Sequence, residues 1–165
     1  VEPLRIIETQ DGLAAFRGDV CIARENDFTW RRAAEQAAGL ASWLTWRETS
    51  SPLGDLAVIG GGFACLPRIL SLGSWRRFDV YELEVELAHD LEVRHPMFKR
   101  AWTWRFGPWE ETIQYESGRP VESFRARRYD VIVYDIDDEA PLEVFQYVRT
   151  PGGVVVDQSG RVRVP

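Results

Sequence analysis

Asp55-Leu-Ala-Val-Ile-Gly-Gly-Gly-Phe63 runs an apolar strand straight into three glycines, and a helical segment follows from about Ala64. Glycine lets a backbone take positive φ or come close to a ligand. A strand, then glycines, then a helix is how a nucleotide-type cofactor is held at the edge of a parallel sheet. Glycine-rich turns also join strands to helices for purely structural reasons, so the loop alone leaves both readings open. The next feature favours the ligand. Arg77-Phe-Asp-Val-Tyr-Glu82 ends a second strand on a carboxylate about twenty positions on, where such folds hydrogen-bond ribose hydroxyls. The gap from Gly62 to Glu82 suits one strand–helix–strand half-turn.

Around this stretch lies a chain of 165 residues, with 45% hydrophobic and 28% charged side chains, which predicts a packed core of ordinary domain size. Seven tryptophans, Trp30, Trp43, Trp46, Trp75, Trp102, Trp104 and Trp109, can fill interior or form a surface for a partner. The net charge of −6 argues against non-specific nucleic-acid binding, and the short basic clusters Arg31-Arg32, Arg76-Arg77 and Arg125 to Arg128 read as solvated faces. Of the 20 basic residues only Lys99 is lysine. Cys21 and Cys65 have no metal-ligand spacing and make no disulfide framework, and His89 and His95 lack partners for zinc. No apolar run approaches the roughly 20 residues that span a membrane, and no signal peptide is visible. The expectation is a soluble protein, cytoplasmic or part of an assembly made in the cytoplasm.

Upstream, Leu4 to Thr9, Leu13 to Phe16 and Val20 to Arg24 read as strands separated by Gln10-Asp11-Gly12 and Arg17-Gly18-Asp19, a small antiparallel meander. Asn26 or Asp27 caps a helix running to about Trp46, with Phe28, Ala34, Ala37, Ala38, Ala41 and Leu44 as its apolar stripe. Ser50-Ser51-Pro52-Leu53-Gly54 is read as a linker, dividing the chain into residues 1–49 and a cofactor-binding core at residues 50–165. Downstream, strand Leu56–Ile59 precedes a helix at Pro67–Leu72, placed late because proline is tolerated only in a first turn. Strand Asp79–Glu82, helix Val85–Val93, strand Trp102–Phe106, helix Trp109–Tyr115, strand Tyr129–Asp135, a short helix near Pro141–Val148 and strand Val154–Asp157 follow. Alternating strands and helices imply a parallel sheet with right-handed crossovers, an α/β fold.

In open sheets of this kind the ligand lies outside the carboxyl ends of the strands. Three ends carry candidates: Gly60, Gly61 and Gly62 after the first strand, Glu82 after the second, and Asp135, Asp137 and Asp138 after Val131-Ile-Val-Tyr134. The aspartates can bind an amine, act as a base or take a divalent cation. Asp137 and Asp138 can equally cap the next helix.

Six segments in order give the chain a resemblance to the spermidine-synthase-like branch of the class I S-adenosylmethionine-dependent transferase superfamily. Ile7-Glu-Thr-Gln-Asp-Gly12 with Phe16-Arg-Gly-Asp-Val20 resembles the family's β-meander. Asn26-Asp-Phe-Thr-Trp-Arg-Arg32 occupies the place of its Asp-Glu-Phe-x-Tyr-His-Glu. Val58-Ile-Gly-Gly-Gly62 matches its cofactor loop, and Tyr81-Glu-Leu-Glu84 stands for Glu-x-Asp, whose Glu binds ribose. Tyr129-Asp-Val-Ile-Val-Tyr-Asp-Ile-Asp-Asp138 and Gly152-Gly-Val-Val-Val-Asp-Gln-Ser159 match two further strands. The resemblance implies a Rossmann-like class I methyltransferase-type sheet behind an N-terminal meander and helix. It implies S-adenosylmethionine or decarboxylated S-adenosylmethionine as cofactor, held by Gly60, Gly61, Gly62 and Glu82. It implies aminopropyl or methyl transfer to a small amine acceptor, with Asp135 as base or amine orienter and Asp138 as amine ligand.

Departures from the family pattern carry a second expectation. The acidic residue after the glycines is Phe63, a substrate-contacting Gln is replaced near Cys21, Tyr-His has become Trp30-Arg31, and the adenine-contacting Gly-Asp-Gly/Ala is Gly107-Pro108-Trp109. An arginine at position 31 would repel a polyamine. The chain ends soon after Gln158, so the family's last strands are expected to be truncated and the strand Val154–Asp157 left as an exposed edge needing cover. On this reading the fold survives without catalysis, as a structural or interaction module, a homo-oligomer or a member of a multiprotein assembly such as a virus particle.

Overall fold

The computed structural model describes residues 2–46, 53–116, 128–136 and 139–165. Asp137, Asp138, most of the linker read at 50–54, and Arg125 to Arg127 lie outside the described residues. Strands β1 (Leu4–Thr9), β2 (Gly12–Arg17) and β3 (Val20–Asn26) pair antiparallel in chain order, as the turn residues predict. Gly12 at φ 129° and Gly18 at φ 57° make the two reversals possible.

Helix α1 (Asp27–Trp46) starts on a reciprocal cap: the Thr29 amide donates to Asn26 Oδ1 at 3.0 Å, and the Asn26 amide to Thr29 Oγ1 at 2.9 Å. Its buried face differs from the one expected. Phe28 is 63% exposed, and Ala34, Ala38 and Ala41 also face solvent. Ala33, Gln36 and Leu40 are buried instead, with Trp30, Ala37, Trp43 and Leu44 packed against the core. The true stripe, Trp30-Ala33-Ala37-Leu40-Leu44, alternates three- and four-residue steps. The large tryptophan and leucine areas decide the face over the weakly apolar alanines.

The main sheet has the order β6-β5-β4-β7-β8-β9. Strands β4 (Leu53–Ile59), β5 (Trp75–Glu82), β6 (Thr103–Phe106), β7 (Val131–Tyr134) and β8 (Val154–Val156) are parallel. The period-2 alternation sorts their side chains onto two cores. Leu56, Val58, Phe78, Val80, Val131, Val133, Val154 and Val156 share one cluster with α1, the meander and α2 (Cys65–Leu70). Ala57, Ile59, Tyr81, Ile132, Tyr134 and Val155 share the other with α4 (Trp109–Glu116) and a 3₁₀ segment, Leu142–Tyr147. The latter is the short helix expected near Pro141–Val148, and it takes the 3₁₀ form. Helix α3 (Val85–Arg94) covers the sheet with Leu87 and Leu91.

Several boundaries move outward from the sequence reading. β5 begins at Trp75 because its early polar residues find partners: Arg76 donates to Asp55, and Arg77 pairs with Asp79. α2 begins at Cys65, two residues before Pro67, which still falls in the first turn. The expected exposed edge at β8 is absent. β9 (Val162–Arg163) folds back antiparallel, pairing Val155 with Arg163 and Val156 with Val162. The reversal is built by Asp157, whose Oδ1 accepts from the Ser159 amide and hydroxyl and the Arg161 amide. Gly160 completes it at φ 81°. This turn packs closely on α1, where a Cβ on Gly39 would lie 2.3 Å from the Gly160 carbonyl oxygen. No described helix is long and apolar enough to cross a membrane.

Candidate functional site

The glycine loop leaves β4 at the carboxyl edge of the sheet and is shaped by backbone hydrogen bonds. The Gly60 amide donates to the Tyr81 carbonyl at 3.0 Å, and the Ala64 amide to the Gly61 carbonyl at 2.7 Å. Gly60 sits at φ 96°, and a Cβ there would lie 2.7 Å from the Asp135 carbonyl oxygen. A Cβ on Gly61 would press to 3.0 Å against both Glu82 Oε2 and the Trp104 ring. Side chains at these two positions would strike Asp135, Glu82 and Trp104, so glycine is what lets this cradle lie close against the strand ends.

Glu82, at the end of β5, closes the cradle on one side. Its Oε2 accepts from the Gly62 amide at 2.6 Å and its Oε1 from the Glu84 amide at 3.0 Å. Such charge-assisted bonds fix the carboxylate while leaving lone pairs for further donors. Asp135, just past β7, stands on the other side, its amide donating to the Ile59 carbonyl at 2.8 Å. Its Oδ1 lies 3.4 Å from Gln36 Nε2 and 3.5 Å from Arg32 Nε. Burial pushes the Asp135 carboxyl above the usual carboxylate range, opposed by Arg32 and by hydrogen bonds from Gln36 and Gln158.

Between these walls lies a cavity of about 740 Å³. Gly60, Gly61, Gly62, Glu82 and Asp135, all singled out from the sequence, line it together. Asp138 lies outside the described residues. The meander and α1 form a further wall with Ala23, Arg24, Thr29 and Arg32, and the approach to α4 supplies Pro108, Trp109 and Glu110. Phe63 is buried in the core as the loop turns into α2. The Phe63 and Ala64 carbonyls both accept from Arg68, at 2.7 and 3.3 Å. Arg68 in turn pairs with Glu25 at 3.2 Å and lies 4.8 Å from the centre of the Trp30 ring. Burial pushes the Cys65 thiol up and so favours its protonated form, opposed by its hydrogen bond with Thr29 and by Arg68.

The arginine expected to oppose a cationic substrate was Arg31. The structure corrects this: Arg31 faces solvent and Arg32 enters the cleft. Sequence reasoning missed Arg32, Gln36 and Glu110. The signal for the first two was the i, i+3, i+4, i+7 series Thr29, Arg32, Ala33, Gln36, one helix face turned to the site. Glu110 follows Gly107-Pro108-Trp109, and so returns a carboxylate to the end of the cleft where the sequence reading found one missing.

No protein-family model matches the chain, and no curated protein matches it by sequence. Solved structures do match its shape. A probable spermidine synthase from Corynebacterium glutamicum superposes with TM-score 0.60 at 18% identity, covering 93% of this chain and 59% of that one. Human methyltransferase-like protein 13, solved in complex with SAH, gives TM-score 0.55 at 20% identity over 74% of this chain and 62% of that one. An S-adenosylmethionine-dependent methyltransferase from Clostridium acetobutylicum gives 0.53 at 12% identity over 76% and 49%. The chain thus spans about half to three-fifths of the length of these structures. These likenesses show the fold: a Rossmann-like, class I methyltransferase-type sheet with flanking helices behind an N-terminal antiparallel meander.

Proposed function

We propose that this chain binds an adenosyl sulfonium ligand in the cleft over Gly60–Gly62 and transfers an alkyl group from it to a small amine acceptor. The observation that carries the reading is the clasp of the Glu82 carboxylate on the Gly62 amide at 2.6 Å, facing Asp135 across a cavity of about 740 Å³. A volume of that order suits a small-molecule site, typically ~300–1,000 Å³.

The residues present fit such a ligand. Glu82 offers two acceptor oxygens to vicinal hydroxyls. The glycines permit close backbone approach. Leu83, Pro108 and Trp109 present apolar surface for a flat base, and Glu110 an acceptor beside it. When bound, the sulfonium supplies a carbon that a nucleophile can attack. An amine must be neutral to do so. Its nitrogen lone pair forms the new N–C bond as the C–S bond breaks, the electron pair passing to sulfur to give a neutral thioether. The proton leaving nitrogen is taken by Asp135, whose elevated pKa makes it a better acceptor than an exposed carboxylate.

Thermal-shift titration with S-adenosylmethionine, decarboxylated S-adenosylmethionine and methylthioadenosine tests the reading, because a ligand that binds only the folded state raises Tm by mass action. A shift that disappears in Glu82→Ala supports the site. No shift with any of the three would sink it and favour an assembly role for the fold.

A further inference from the structure

The cleft is chemically lopsided. Toward β6 its lining carries the apolar Leu83, Pro108 and Trp109, with Glu110 beside them. Toward β7 it is polar, with Asp135, Gln158 and Arg32. Glu82 lies between, at the end of β5. A ligand whose ribose is held by Glu82 therefore has an apolar berth for its base on one side and a polar berth for its tail on the other.

Arg32 is the cation of the polar berth. Its side chain is 29% exposed in a wall of the cleft, and its guanidinium carbon lies 5.8 Å from the centre of the Phe28 ring. Among the described residues its carboxylate partner is Asp135, engaged through Nε at 3.5 Å. That geometry leaves the paired terminal amino groups as the face for a second carboxylate, the fork arrangement in which arginine binds best. Arg24 adds another positive charge to the same wall. Directly after the glycines, where an acidic side chain would attract an ammonium tail, stands the buried Phe63.

Resting on the adenosyl-ligand reading above, we infer that Arg32 binds the α-carboxylate of an amino-acid tail, so that the site selects S-adenosylmethionine over its decarboxylated form. A decarboxylated tail ends in an ammonium alone, which can meet Asp135 but offers nothing to Arg32. The group transferred is then a methyl or a carboxylate-bearing alkyl group, not an aminopropyl group.

Isothermal titration of the intact chain with four ligands tests this. S-adenosylmethionine against its decarboxylated form isolates the carboxylate. S-adenosylhomocysteine against methylthioadenosine isolates the whole tail at neutral sulfur. The expected result is at least about tenfold tighter binding of the carboxylate-bearing member of each pair, the scale of a charge-assisted hydrogen bond. Arg32→Gln should remove the difference while leaving methylthioadenosine affinity within about twofold. Equal or tighter binding of the decarboxylated ligand overturns the inference, a comparison that needs no variant to fold. Failure of all four, methylthioadenosine included, overturns the nucleoside site itself and this inference with it.

Discussion

Two aspartates, Asp79 on β5 and Asp135 just past β7, sit on parallel strands that flank β4, each with arginine beside it, and they do opposite things. Asp79 lies mid-strand on β5, 1% exposed, and every contact closes inward. Tyr129 donates to it, the Tyr81 hydroxyl donates to Tyr129 at 2.7 Å, and Arg77 and Arg105 flank it. Arg77 also lies 5.3 Å from the centre of the Tyr129 ring. Asp135 lies past the end of its strand, its side chain 14% exposed, with one side toward Arg32 and Gln36 and the other in a cavity. The same residue types make a locked internal network where the sheet covers them and a cavity wall where the sheet stops.

The comparison is broken most directly at Asp79. Replacing it by Ala strands Arg77 and the Tyr129 hydroxyl, and should cost about 3–5 kcal/mol, read by urea denaturation. A loss under about 1 kcal/mol would mean that the network is not closed. At Glu82, replacement by Ala should cost about 1–3 kcal/mol, because the Gly62 and Glu84 amides lose their acceptor, and should abolish the ligand-induced rise in Tm. If the rise persists, the ribose-type site is elsewhere.

Asp135→Asn sharpens the contrast through pH. The folded-state pKa of Asp135 is raised, chiefly by burial, so the fold favours its protonated form. That favourable contribution is fully present below the ordinary carboxylate range and is lost as pH rises through the raised value. At pH 7 the Asn variant should therefore match or exceed the parent in stability, with the advantage fading in acid, while turnover falls. An Asn variant clearly less stable at pH 7 would show that the Arg32 pair outweighs desolvation.

The smallest effect is expected at Tyr81, whose hydroxyl is pushed up to about 12 by burial. Tyrosine in the unfolded chain ionises near 10, so this stability is present below about pH 10 and lost as pH climbs toward 12. Tyr81→Phe should cost about 0.5–1.5 kcal/mol at neutral pH and flatten the alkaline decline, followed by absorbance of tyrosinate.

Much of the fold was legible because period-2 apolar runs and turn glycines are local signals. The cradle at Gly60–Gly62 and its partner Glu82 were legible for the same reason: both mark strand ends. What escaped needed contacts remote in sequence. The buried face of α1 could not be told from a run of alanines, so Arg32 and Gln36 were read as surface or passed over. β9 escaped because two residues carry no periodicity. Its sign was Asp157 with Gly160, a turn rather than a strand. Glu110 escaped because it lies one residue beyond Gly107-Pro108-Trp109 and only the cleft brings it to that end.

Arg68 has a bearing on how this chain can diverge. One guanidinium serves the Phe63 and Ala64 carbonyls, Glu25, His95 and the face of Trp30, drawn from the meander, α1, the glycine loop and the end of α3. Lysine, a point charge on a flexible stem, cannot serve such a set in one plane. Drift at position 68 is closed unless several distant positions change together. The N-terminal meander and the glycine loop are thereby coupled through one side chain, so a change that removes one is expected to require rebuilding of the other.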